Sequence, residues 1–343
     1  MVIRFTFESN LITTANNTAL KKICFSHFIV IISLSFLFTS CLDEHQVDVS
    51  NIKLNTQLKR FDSAFFETPE AQFKTKLPML KENYGAMFTN GATDDFWMNQ
   101  RIDKLQITLY QESKKAISKE IYFNLREGLK HAAYYKLEPL PKSIYTYISR
   151  LDFDFPILYA DSLLFIATDL YLGPESKYYQ GMSDYLKFER SSHFMVRDAL
   201  EPLVKKEIPI PSESPTLLDD MIQEGKSMYA LEKLMPDASM DKLLKYTPKE
   251  YEFCMKNERS IWVYFIENNL LFDTSMDVKR RFMFPAPFSK FRTDLDTQSP
   301  GQIGMWIGYN IVKAYADNSE LDLKNILKET DSRKILKISN YKP

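Results

Sequence analysis

Glycine is scarce in this 343-residue chain, nine in all, and that scarcity sets the first limit on its fold. Sandwiches and barrels use glycine in many tight turns, so a chain this poor in it is expected to be built mainly from helices. Cysteine is scarcer still. Of three, Cys24 lies inside an apolar run near the N-terminus and Cys41 just beyond it, which leaves Cys254 alone in the body. No internal disulfide can then close, and the body must be held by core packing. An excess of either charge is missing too: 44 basic residues stand against 45 acidic ones. A balance this close gives no electrostatic case for a nucleic-acid partner. Apart from residues 23–38 there is no long hydrophobic run, and that one is shorter than the roughly 20 residues a membrane-spanning helix needs.

The surroundings of that run are specific. Lys21 and Lys22 precede it, and the chain then reads Phe38-Thr39-Ser40-Cys41. A basic pair, an apolar stretch and small residues before a cysteine form an export signal of the lipoprotein kind. A buried helix of equal hydrophobicity needs neither the lysines nor the Ser-Cys ending. Residues 1–40 are therefore read as the signal, with an extended N-terminal region before Lys21. Cys41 becomes the first residue of the mature chain and the site of lipidation. The other reading, an uncleaved anchor helix, also places the body outside the cytoplasm. Without Arg4, Lys21, Lys22 and Glu8, the 44 basic and 45 acidic residues become 41 and 44, a formal charge of −3. Residues 41–50 read as a polar tether, and 51–343 as a single domain long enough to bury a large core.

Within that domain, residues 51–60 alternate, with Ile52, Leu54 and Leu58 as the candidate inward positions, as in a short strand. Thr68-Pro69-Glu70 has the form of a helix start with Thr68 as cap, and Gly85 suits the helix end. From 101 to 135, Ile102, Leu105, Leu109, Ile117, Ile121, Leu125, Leu129 and Ala132 recur at helical spacing, giving one or two amphipathic helices. Pro139 and Pro141 stop that pattern. Two β-like runs come next, 143–149 and 162–168. The rest reads as helical: a helix around 193–204, a proline-rich connection at 208–215, a helix at 217–234, and a long helix opened by Thr247-Pro248-Lys249-Glu250. The Thr-x-x-Glu spacing lets cap and third residue satisfy each other's backbone donors. Ser299-Pro300-Gly301-Gln302 reads as a second such box. In the helix it opens, Gly304, Gly308 and Val312 lie four apart, a flat strip for close packing. Cys254, among Tyr251, Met255, Ile261 and Trp262, reads as a buried small hydrophobe. The expected fold class is α+β, mainly helical, with a small sheet.

Chemistry-bearing motifs are few. Past the signal, His45 lies in the tether, His131 on a charged helix, and His193 stands alone. No His-x-x-x-His pair exists and no second cysteine can assist, which excludes a zinc site of usual composition. There is no Gly-x-Ser-x-Gly elbow, phosphate loop or Gly-x-Gly-x-x-Gly fingerprint. No catalytic residue, metal ligand or cofactor is assigned.

Several segments carry a resemblance instead. In the first half these are Arg60-Phe61-Asp62 with Phe65-Phe66, and Asp169-Leu170-Tyr171-Leu172-Gly173. In the second half they are Met221-Ile222-Gln223-Glu224-Gly225-Lys226-Ser227-Met228-Tyr229, Leu234-Met235-Pro236, Ala286-Pro287-Phe288-Ser289-Lys290, Ser299-Pro300-Gly301-Gln302-Ile303-Gly304 and Trp306-Ile307-Gly308-Tyr309-Asn310-Ile311-Val312. With the lipid cysteine, they resemble in order the gliding-motility lipoproteins of the GldB type, over nearly all of the mature chain. The resemblance implies a part in gliding across surfaces by bacteria of the Bacteroidetes type. It implies an envelope protein attached to a membrane through lipid, the outer membrane favoured, with other gliding or secretion proteins as partners.

The same family is similar to predicted zinc peptidases, which implies a degenerate zincin-like fold. Those enzymes carry His-Glu-x-x-His on one helix and a Glu-Gly on a later helix as third ligand. The comparable stretch here is His193-Phe194-Met195-Val196-Arg197. Phenylalanine stands where the water-activating glutamate would be, and Arg197, which cannot ligate a metal, stands for the second histidine; Glu224-Gly225 remains. The resemblance thus implies a non-catalytic protein in which His193, Arg197, Glu224 and Gly225 mark a relic site or a partner cleft. Two other classes stay open, a divergent hydrolase built on Glu224 and a ligand- or glycan-binding surface lipoprotein. The Pro285-Ala286-Pro287-Phe288 loop is a candidate docking surface, and equally a candidate for a loop packed on its own core.

Overall fold

The computed structural model describes residues 47–88, 91–210, 214–285, 290–292 and 294–343, and residues Val49–Pro343 form one compact unit. The expected signal, Cys41, His45 and most of the expected tether lie outside the described residues, as do residues 286–289 of the proline loop. Strand β1 (Gln57–Arg60) runs straight into helix α1 (Phe61–Glu67), followed by α2 (Glu70–Asn83), α3 (Asp94–Ile102), α4 (Lys104–Ala116) and α5 (Lys119–Tyr134). Next come β2 (Ser143–Tyr147), β3 (Ile157–Ala160) and β4 (Leu163–Ala167). The chain then turns helical, with α6 (Asp184–Phe188), α7 (Met195–Glu207), α8 (Leu217–Leu234), α9 (Met240–Leu244), α10 (Pro248–Glu267) and α11 (Met276–Met283). Helices α12 (Ile303–Asp317), α13 (Leu323–Lys328) and α14 (Ser332–Ser339) complete it. The class is α+β and mainly helical.

The four strands form one sheet in the order β1-β2-β4-β3, with β1, β2 and β4 parallel and β3 antiparallel to β4. Ile144, Tyr145, Leu164, Ile166 and Ala167 are buried, as interior strands of a largely parallel sheet require. Two buried aspartates tie the ends of the sheet to neighbouring segments. Asp62 accepts from Arg60 Nε at 3.0 Å and from Thr146 Oγ1 at 2.6 Å, which joins β1, α1 and β2. Asp169 accepts from the backbone N–H groups of Ser149 and Leu151, each at 2.8 Å. It thereby holds Arg150 and Leu151 in the left-handed region, both at φ 65°. Burial pushes the Asp169 carboxyl up, against those donors.

The structure corrects several local expectations. Thr68 does not cap α2; Pro69 occupies that position, and the Thr68 hydroxyl donates to the Ala64 carbonyl at 2.7 Å, closing α1 instead. Gly85 opens a short 3-10 turn, while Tyr84 ends α2. The segment 51–60 is a strand only over its last four residues, because pairing with β2 begins at Gln57. Strand β3 has no strong pattern of its own and is decided by its partner β4. The box expected at Ser299 does not form: α12 begins at Ile303, too far along for the Ser299 side chain to reach its free N–H groups, and Gln302 precedes it in the left-handed region without a side-chain cap. His131, read as sitting on a charged helix, is buried.

Other local expectations hold. The pattern over 101–135 forms two helices, α4 and α5, and Asp103 caps the first, accepting from Gln106 N at 2.9 Å. The Thr247 box forms, with Glu250 N donating to Thr247 Oγ1 at 3.3 Å and Thr247 N to Glu250 Oε2 at 2.8 Å. Thr247→Ala is expected to cost about 1 kcal/mol, seen as a lower urea midpoint at unchanged slope. Cys254 is buried, and burial pushes its thiol up.

Hydrophobic side chains divide into two clusters. The smaller gathers aromatic rings of α1 to α4 around Phe65, whose centroid lies 4.9 Å from Phe73 and 5.0 Å from Phe66. The larger spans the sheet, helix α5 and helices α7 to α14. Its centre is the crossing of α8 and α12, where Gly225 meets Gly308 so closely that a Cβ on either would collide with the other helix's backbone. The flat strip expected from Gly304 and Gly308 is that contact.

Candidate functional site

Because α8 is held against α12 by small residues, its opposite side is free to face α7. On α7, Arg197, Glu201 and Lys205 recur every four residues and so share one face. On α8, Gln223 and Glu224 lie three and four residues after Asp220 and line the same cleft. Between these faces and α11 lies an open cleft of about 650 Å³, whose apolar side is Met276, Met283 and Met305. A second lobe of about 550 Å³ continues past the start of α10 toward α6, with Tyr185, Phe188 and Glu250 on its walls. The lobes share Glu189, Leu244, Lys245, Pro285 and Gln302, so they form one groove with a waist.

Charges in the groove close on one another. Arg197 Nη1 donates to Glu201 Oε2 at 2.6 Å and to Asp198 Oδ1 at 3.1 Å, and its Nε donates to the Leu243 carbonyl at 3.1 Å. Lys205 bridges Glu201 at 3.3 Å and Glu224 at 3.4 Å. Lys245 reaches Asp198 at 2.9 Å and Glu189 at 3.7 Å, and Lys279 pairs with Asp220 at 3.0 Å. Burial works against the Glu201 carboxylate, but Arg197, Lys205 and Lys245 together pull it down to about 2. Burial likewise opposes the charge on Arg197, and Glu201 with Asp198 more than offset it, raising the guanidinium further. Lys226 has no part in this: it is buried on another side of α8, donates to the carbonyls of Leu327 and Glu329, and is pushed by burial down to about 8.

Of the residues singled out in the sequence, Arg197 and Glu224 thus line one cleft. Gly225 lies beneath it as a packing contact. His193 does not join them. It sits in a 3-10 turn before α7, with its ring 4.0 Å from Phe194, and lines a separate cleft of about 380 Å³ with His131. Burial lowers the pKa of both imidazoles. A peptidase-type zinc site does not fit this arrangement, since a charged guanidinium takes the place of the second histidine and His193 lines a different cleft from Glu224. Among the described residues, no group of three or more His, Cys, Asp or Glu is placed to hold a metal ion. Asp198, Glu201, Lys245 and Gln302 escape sequence reasoning. The i,i+4 ladder from Arg197 through Glu201 to Lys205 is visible in the sequence, but the approach of Lys245 and Gln302 is not, since both depend on left-handed turns at φ 56° and 53°.

The segments that mark the resemblance also meet at this groove. Glu224 comes from one, Gly301 and Gln302 from another, and Tyr171, buried behind the groove, donates to Asp198 Oδ2 at 3.0 Å. A family model described as gliding motility protein GldB matches residues 42–343. The chain belongs to that family. The match begins one residue after Cys41 and runs to the last residue, so the whole helical body and its groove are family territory. No curated protein and no solved structure matches the chain. Among the described residues no helix is long and apolar enough to cross a membrane.

Proposed function

We propose that this gliding-motility protein is a lipid-anchored component of the bacterial cell envelope, tethered through Cys41, that works without catalysis by holding other proteins of the machinery. Residues 1–40 are the signal removed on export, 41–50 the tether, and the body from 51 onward the working domain. One observation carries the non-catalytic part of this reading. Where a peptidase would place a metal ligand, Arg197 is bound to Glu201, Asp198 and the Leu243 carbonyl, and Glu224 faces Lys205. A fixed guanidinium thus stands at the second ligand position, and Glu224 faces a lysine it shares with Glu201 rather than a histidine pair, which supports a role without catalysis. Such a groove offers fixed charge and shape, which suits recognition. The lipoprotein part rests on Lys21-Lys22, the apolar run and Ser40-Cys41.

The test is deletion of the gene in its native host, complemented with the wild-type chain or with Cys41→Ala. Colony spreading and single-cell movement are expected to stop on deletion and to return only with the wild-type chain. Acyl labelling is expected to disappear in Cys41→Ala, with release of the protein from membranes. Normal movement in the deletion strain would overturn the motility role, and labelling that persists in Cys41→Ala would overturn the anchor.

A further inference from the structure

We propose that the two-lobed groove takes an extended, basic segment of a partner protein. The inference rests on the adaptor reading and names the chemistry of the segment that is held. The groove is open along its length and narrowed at a waist formed by Lys245 and Gln302. Both residues adopt the left-handed conformation without being glycine, a strained state that persists only where the surroundings enforce it. At Gln302 the enforcement is explicit. Its N–H donates to the Phe284 carbonyl at 3.0 Å, and its own carbonyl accepts from Tyr246 Oη at 3.1 Å. The side-chain amide is left in the waist with no hydrogen bond among the described residues. An amide carries donors and an acceptor together, and the backbone of an extended peptide presents the same pair in reverse.

The side chains on either side of the waist select the charge of the occupant. Among the described residues, the two lobes are lined by seven carboxylates and five cations. Every cation is committed: Lys187 to Asp184 at 3.1 Å, Arg197 and Lys205 to Glu201, Lys245 to Asp198, and Lys279 to Asp220. The carboxylates are not all matched. Glu224 shares the half-exposed Lys205 with Glu201, and Glu189 holds only the longer 3.7 Å contact to a lysine already on Asp198. Glu175 has no ion pair among the described residues. The uncommitted charge is therefore negative, and it lies in both lobes, so an occupant with lysine or arginine at two separated positions would complete it. In the lobe with Glu224, Met276, about half exposed, with Met283 and the part-exposed Phe284 offers an adaptable apolar wall of the kind that accepts varied side chains.

The experiment is selection of a displayed library of random 12-residue peptides on the purified full-length chain. Three variants serve as comparisons: Glu175→Gln with Glu224→Gln, Glu189→Gln, and Gln302→Gly. The glycine variant keeps the left-handed backbone while removing the amide, so its fold is retained. Unchanged melting temperatures check the others. Selected peptides are expected to show lysine or arginine enriched several-fold at two or more positions. Their retention is expected to fall by about tenfold on the Glu175/Glu224 double variant, to fall by a smaller factor on Gln302→Gly, and to weaken as salt is raised. Selected peptides without basic enrichment, or with equal retention on all variants, would overturn the inference. Either result leaves the motility role to be judged by the deletion strain alone, so the two readings fail separately.

Discussion

Gly308→Ala is expected to destabilise the protein by about 3 kcal/mol or more, although alanine is the better helix former by about 1 kcal/mol. The sign is set by the atoms the added methyl meets. At Gly308 a Cβ would land on the carbonyl group of Met221, which is backbone and cannot rotate aside. At Gly225 it would meet the Gly308 peptide and lie 2.7 Å from Tyr309 N. Relief therefore requires α8 and α12 to separate, and that opens the centre of the larger hydrophobic cluster. Gly304→Ala is the internal control. Its Cβ would meet the end of the Met283 side chain at 2.5 Å and the Phe282 carbonyl at 3.0 Å, the first of which can swing away. Urea unfolding of the three variants should rank Gly304→Ala well below the other two in cost. A Gly308→Ala variant within 1 kcal/mol of wild type would mean that the two helices cross less tightly than their backbone contact requires.

Arg197→Leu is the second change with a large effect, about 3–5 kcal/mol at neutral pH, the usual cost of breaking a buried ion pair from one side. Leucine leaves Glu201 and Asp198 with a buried guanidinium removed, and only Lys205 and Lys245 remain near them. The effect depends on pH in a defined direction. In the native protein the Glu201 carboxyl sits at about 2, below its ordinary 4.5. A depressed carboxylate contributes stability that is fully present above the unfolded value and is lost as pH falls through the folded one. For Glu201 that contribution is about 3 kcal/mol, and it fades between about pH 4.5 and 2. The difference between wild type and Arg197→Leu should therefore be largest near pH 7 and shrink as pH falls through that window. A difference that stays constant across the window would show that Arg197 acts through packing and not through charge. Glu201→Gln in the same series separates the two contributions, since it removes the pH dependence and leaves most of the shape.

Much of this molecule is legible without coordinates. Helical spacing places α5, α8 and α10, because burial of one face leaves a period in the chain, and short apolar and aromatic runs place β2 and β4. The Thr247 cap and the spacing of Gly304 and Gly308 are readable for the same reason, since each works over three or four residues. Errors cluster where the deciding partner is distant. Thr68 turns back to Ala64, Ser299 lies too far from the first turn of α12, and β3 becomes a strand through β4. The candidate site divides along the same line. The resemblance singles out His193 and Glu224 by residue identity and Arg197 by its place four residues after His193. Helix geometry parts that pair: His193 lies in a 3-10 turn before α7 and lines a different cleft.

From the sequence by itself came the mainly helical class and the family, with the lipoprotein signal as an expectation, each a matter of composition or of residues close together in the chain. Only the tertiary structure decided that Arg197 is neutralised by Glu201 and Asp198, that Glu224 faces Lys205, and that Lys245 and Gln302 close a waist between two lobes. The reason is physical. Local order comes from interactions a few residues apart, whereas a groove exists only where segments from positions 175 to 305 are brought together, and the glycine contact between α8 and α12 sets how near they come.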